Sequence, residues 1–385
     1  MNLSRICVNR TPMDVRALPM DDPTGREVAV VIAKMTWQVG PTGQPTIARP
    51  ISPVRVDDVP LTDAALLAAG HPILKSPPTD PYPLPFSRPR SLRHASDGVP
   101  QKPGTEVLLY GTAYPSKADS TKETVGIRIE SGRFTFQKNL TVTGPRVWQN
   151  SLLGFVPGPP GKMPPTPIVY ELAYGGIDAS DPNAVVTEIR NPCGMGFVER
   201  KFNLTGRPAP VIEDPKAPLS SRNPAPAGFG PIAAHWAPRS QKMGTLDDAW
   251  RADRAPVRPR DFNPRHFCAA PDDQWIESAL LGDEAVEVVG LTPQGPWRFR
   301  LPKYSPIFHV IVRGITTQPE THLDTFAIDA ETRRVEFTWR IAVPIPKKPD
   351  HLEAVHVFGS EPLPERVVAN LAASVYGQSS TAETP

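Results

Sequence analysis

Cys193 stands between Pro192 and Gly194, in a loop whose glycines leave backbone amides bare. Such a turn can lower a thiol's pKa, so Cys193 with His235 as its base would make the nucleophile of a hydrolase. The competing reading is a small buried cysteine. His322 and Asp324 share one face of a strand, and Asp261, Asp272 and Asp273 lie in loops near His235 or His266, but spacing alone does not pair them. His351 and His356 suggest a metal only until their geometry is drawn. In a strand they point to opposite faces, and in a helix they sit about 140° apart. No GxSxG, HExxH or P-loop pattern occurs, and Gly194-Met195-Gly196 lacks the third glycine of a dinucleotide fingerprint. No metal or cofactor is expected. Trp236 and Trp250 read equally as anchors of a binding patch and as pins that fix irregular chain to a core.

These residues need elements to hold them, and the most demanding stretch runs from Tyr170 to Phe197. Ile168, Tyr170, Leu172 and Tyr174 alternate with Val169, Glu171 and Ala173, which predicts a strand halted by Gly175-Gly176. Asn191-Pro192 sets a second turn, and Gly194 and Gly196 flank Met195 so that backbone can approach closely. The stretch is either a structural connection or a recognition loop on a β scaffold.

Composition sets the scaffold. Among 385 residues there are 50 prolines, roughly twice the usual share and spread along the chain, which disfavours a helical bundle. The balance of 42 Lys+Arg against 40 Asp+Glu offers no field for nucleic acid or an anionic membrane. Three cysteines without metal spacing fit a reducing compartment, and the opening residues lack an apolar run, so a cytoplasmic protein is expected.

Read in order, 1–22 is an N-terminal segment and Glu27 to Val39 a buried strand. Thr62 caps a short helix over Asp63 to Ala69, and the Pro- and Arg-rich run Ser76 to Pro103 reads as a solvated crossing. Val125 to Val142 predicts a hairpin about Ser131-Gly132. Leu246 to Arg254 predicts a helix opened by Thr245 and Asp248. Val286 to Leu291, Trp297 to Leu301 and Ile307 to Val312 read as strands, and Leu323 to Ile328 pairs with Val335 to Val343. Residues 346–377 predict a strand and a helix over Pro364 to Tyr376, and 378–385 a disordered tail. The expected fold is mainly β: antiparallel sheets packed as sandwich-like units, long Pro-rich loops and a few short helices. One β domain is expected over 23–345, divisible into subunits over 23–200 and 270–345.

Several motifs in series give a resemblance: Tyr170-Glu171-x-Ala173-Tyr174-Gly175-Gly176, Asn191-Pro192-x-Gly194-x-Gly196-Phe197, Trp236-x-Pro238-Arg239, Gly244-Thr245-x-Asp247-x-x-Trp250 and Ala270-Pro271-x-Asp273-Gln274. Together they resemble the bacterial domain of unknown function family 2169 (DUF2169), from about Gly25 to Pro344. The resemblance implies a non-enzymatic adaptor or chaperone that helps a type VI secretion effector reach the VgrG and PAAR spike, and implies no catalytic residues. With the physical reading of Trp, Tyr and Arg in rigid loops, it makes Tyr174, Gly175, Gly176, Asn191, Gly194, Gly196, Trp236, Arg239 and Trp250 the expected partner-binding set. A hydrolase using a loop Cys or Asp and a structural part of a spike or phage-like particle are the alternatives.

Overall fold

The alternation of Val335, Phe337, Trp339, Ile341 and Val343 becomes the strand Arg334–Pro344, paired antiparallel with Leu323–Asp329 on one side and Glu27–Val39 on the other. The structure is a computed structural model that describes residues 3–75, 89–152, 154–181, 183–199, 203–221 and 223–360. Asp14–Asp21 and Trp275–Ile276 close the two edges of this seven-stranded sheet, and Thr105–Tyr110 enters it parallel to Leu323–Asp329. An edge is where a strand tolerates Pro19, since a missing N–H there need break no ladder bond.

The predicted hairpin is Lys122–Glu130 with Thr135–Thr143, and Ala285–Val289 and Trp297–Arg300 extend it, with Ile212–Glu213 at the far edge, into a five-stranded sheet. A four-stranded sheet orders Cys7–Asn9, Leu352–Gly359, Pro306–Val312 and Ile315–Thr317. The three sheets bury one shared core, in which Met35, Phe337, Ile129, Leu140, Phe299, Phe308 and Val355 meet. The fold is mainly β, in several largely antiparallel sheets, with few short helices.

Four expectations are corrected. The stretches 23–200 and 270–345 are not separate subunits, because Glu27–Val39 and Thr105–Tyr110 share a sheet with Leu323–Asp329 and Arg334–Pro344. Tyr170–Leu172 is a turn of 3-10 helix and not a strand. There Glu171 is buried with its carboxylate accepting from the Ser91 amide (3.0 Å) and hydroxyl (2.8 Å). The helix Asp248–Asp253 is capped by Asp247, whereas Thr245 donates its hydroxyl to Asp261. Finally, residues 89–103 are no solvated crossing: Leu92–His94 pairs with Val59–Pro60, and Ser91, Asp97 and Lys102 are buried. Residues 76–88 of that run, the helix over Pro364 to Tyr376 and the tail 378–385 lie outside the described residues.

That burial has an electrostatic cause. The core-facing residues of the seven-stranded sheet alternate with Lys34, Glu106, Asp324, Glu336 and Arg340, and a covering segment supplies partners. Lys34 Nζ donates to Asp97 (2.5 Å) and lies 3.6 Å from Glu336, which Arg55 grips with two bonds of 2.9 and 3.2 Å. Arg340 pairs with Asp324 and donates to the carbonyls of Asp97 (2.7 Å) and Val99 (2.9 Å). Lys102 pairs with Glu106, whose other oxygen accepts from the amides of Ala269 and Ala270. Burial pushes the Asp324 carboxyl up, but Arg340 beside it holds it below the usual range.

Candidate partner-binding face

Tyr174–Gly175 and Met195–Gly196 form a two-residue parallel ladder, so both ends of the 177–194 loop leave the same place. Asn191 ties them, its Nδ2 donating to the carbonyls of Tyr170 (2.9 Å) and Tyr174 (3.0 Å). The Gly176 amide donates to the Asn191 carbonyl (2.8 Å) and the Glu188 amide to the Gly176 carbonyl (2.9 Å). Gly175 has φ of 148°, and a Cβ there would lie 2.2 Å from the Asn191 carbonyl oxygen. A Cβ on Gly194 would lie 2.4 Å from Asn191 Nδ2 and 2.7 Å from the Ala173 carbonyl oxygen. Both glycines are therefore required by close backbone approach. Tyr174, Gly175, Gly176, Asn191, Gly194 and Gly196 thus form one knot, whose atoms serve chiefly one another.

Cys193 is buried in that knot. Its thiol donates to Asn191 Oδ1 (3.2 Å), and burial among Tyr170, Ile232 and Trp236 pushes its pKa well above the ordinary value. His235 is exposed and packs edge-on to Trp236. The small-core reading of Cys193 therefore fits its surroundings.

Trp236 and Arg239 are displaced from the expected face. Trp236 is 0% exposed, with its ring edge-on to Tyr170 at 5.6 Å, and is a core pin. Arg239 is 7% exposed, and its guanidinium donates to the carbonyls of Ile232 (2.8 Å) and His266 (3.0 Å). A partner reaches neither without opening the fold. The cause is local: proline-rich chain makes few ladder bonds, so a large ring and a five-donor fork secure it. Trp250 is half-buried on the short helix Asp248–Asp253. Its indole donates to the Val257 carbonyl (2.8 Å), and it lines a cavity of about 200 Å³ with Asp247, Asp253, Arg254 and Asp261.

The remaining candidates for chemistry are dispersed. Asp324 is spent on Arg340, Lys138 holds Asp273, and His351 Nδ1 accepts from Arg313 (2.9 Å) while His356 stands opposite His309 in the ladder. Among the described residues no three His, Cys, Asp or Glu side chains are grouped as metal ligands.

One surface escaped the sequence reading. Trp148–Ser151 and Gly154–Pro157 form a hairpin with Leu152 fully exposed at its turn and Val147 exposed at its base. Behind it, Trp148, Leu204, Ala209 and Leu219 make a satellite core on which Phe155, Tyr174 and Val198 pack, and Phe197 stands edge-on to Tyr174. The sequence held one cue, Gly154 between two apolar-bearing runs, and no Asn-Gly or Asp-Gly turn pair to strengthen it.

A family model described as an uncharacterized protein conserved in bacteria (DUF2169) matches residues 24–340. No curated protein and no solved structure matches the chain.

Proposed function

The chain belongs to the DUF2169 family, and on that premise we propose that it is a non-enzymatic adaptor of type VI secretion. In this reading it works in the cytoplasm, binds and stabilises an effector, and helps load it onto the VgrG and PAAR spike. The observation that carries the reading is the apolar side chain of Leu152, fully exposed at the turn of a hairpin whose Trp148 and Phe155 share a satellite core with half-buried Tyr174. Hairpin turns ordinarily carry polar residues, and burying a leucine against a partner yields about 1.5 to 3 kcal/mol. The satellite core takes Trp148 and Phe155 from the hairpin and Tyr174 from the knot, and this anchoring lowers the ordering cost of binding.

The test is co-expression with the neighbouring gene products, followed by pull-down and melting of the parent, Leu152→Asp, Tyr174→Ala and Trp250→Ala. Retention of an effector or spike protein by the parent, with loss in a stably folded Leu152→Asp, is the expected result. If all three stable variants retain it, the interface lies elsewhere. If the parent retains none, the adaptor reading fails.

A further inference from the structure

On the outer face of the seven-stranded sheet, between the covering segment and the strands, lies a cavity of about 180 Å³. Arg55, His94, Tyr110, Asp329, Arg334 and Glu336 are among its lining residues. At about 30 Å³ per water it has room for roughly six waters, which suits a small ligand and excludes a nucleotide.

Two observations make it more than a packing gap. Tyr110 is only 9% exposed, yet its hydroxyl makes no hydrogen bond among the described residues and is not among the sealed unpartnered atoms. A phenol so placed normally finds a partner, and Tyr110 is one of the residues that line the cavity. His94 packs edge-on to Tyr110 at 5.3 Å, and its ring nitrogens likewise have no protein partner among the described residues.

The charges define the ligand. Arg55 is committed to Glu336, Lys34 to Asp97, and Arg93 lies 3.6 Å from Asp329. Arg334 lines the same cavity and donates to the Arg49 carbonyl (3.3 Å), with no carboxylate in ion-pair range among the described residues. One cation is therefore left over. Burial first, and then Arg55, Arg93 and Lys34, lower the His94 pKa to about 4, so its ring is neutral at pH 7 and offers one donor and one acceptor.

We propose that this cavity binds a small oxyanion, a carboxylate or a phosphate, with its charge against Arg334 and a hydrogen bond from the Tyr110 hydroxyl. The larger cleft of about 590 Å³ beside Trp297–Arg300 is the weaker candidate: Arg128 and Arg298 there pair with Glu130 and Glu287, and Arg300, which donates to the Asp283 carbonyl (2.9 Å), has no tyrosine or histidine among the lining residues to share a ligand with.

Isothermal titration of the full chain with succinate and with inorganic phosphate, at constant ionic strength, tests the proposal. Saturable binding of either ion is expected, and the one that binds tells carboxylate from phosphoryl recognition. Tyr110→Phe removes an atom that holds nothing in the fold, so it should melt with the parent while its Kd rises about tenfold or more. Arg334→Gln should abolish binding, and Arg128→Gln in the other cleft should leave it unchanged. Absence of saturable binding for both ions, or parent-like binding by either Tyr110→Phe or Arg334→Gln, overturns it. The outcome is independent of the effector pull-down.

Discussion

On one face of the seven-stranded sheet Met35, Phe337 and Trp339 meet the other two sheets, while one residue along, Lys34, Glu336 and Arg340 meet the segment that covers the opposite face. The first contact is non-directional, because apolar area removed from water stabilises whatever apolar neighbour removes it. The second is specific, because each buried charge requires one partner at one position, and an unpaired one costs several kcal/mol. The difference teaches that the core supplies stability, while the ionic face fixes where the covering segment lies. It is that segment, held in register, that encloses the cavity beside Tyr110.

Substitutions can break this contrast. The largest effect is expected from Phe337→Ala, about 3 to 5 kcal/mol in urea unfolding, with no second-site partner able to restore it. Arg340→Leu should cost about as much at the upper limit, since it strands the fully buried Asp324, but the double variant Arg340→Leu/Asp324→Leu should recover most of the loss. A double variant as unstable as the single would show that the ionic face is not held by its pairing.

Acid sharpens the contrast through two windows. Burial pushes the Glu336 carboxyl up, but Arg55 and Lys34 overcome this and lower it from 4.5 to about 2. That contribution, about 3 kcal/mol, is present above pH 4.5 and is lost as pH falls toward 2. Burial lowers His71 from 6.5 to about 4, so its contribution is complete above pH 6.5 and is lost as pH falls through 4. Urea melts across both windows should show Glu336→Gln removing the lower slope and His71→Leu the upper one. The smallest effect is expected at the exposed hairpin, where Leu152→Asp should change stability by less than about 0.5 kcal/mol.

Much of the fold was legible in the chain alone. Wherever a side chain's fate depends on its own strand, as in Val335 to Val343, the Val125 to Val142 hairpin or the Thr62 cap, local period and propensity were sufficient. The glycine knot was also visible as a demand for close backbone approach, though not its executor, Asn191. Trp236 and Trp250 looked alike in sequence, and only the packing of Tyr170 made the first a core pin. The charged residues of 89–103 read as solvated because their partners lie far along the chain: Asp97 meets Lys34 across 63 positions, and its carbonyl meets Arg340 across 243. Hydrophobic periodicity is written into neighbouring residues, whereas burial of a charge is decided by a partner that the tertiary fold alone brings near.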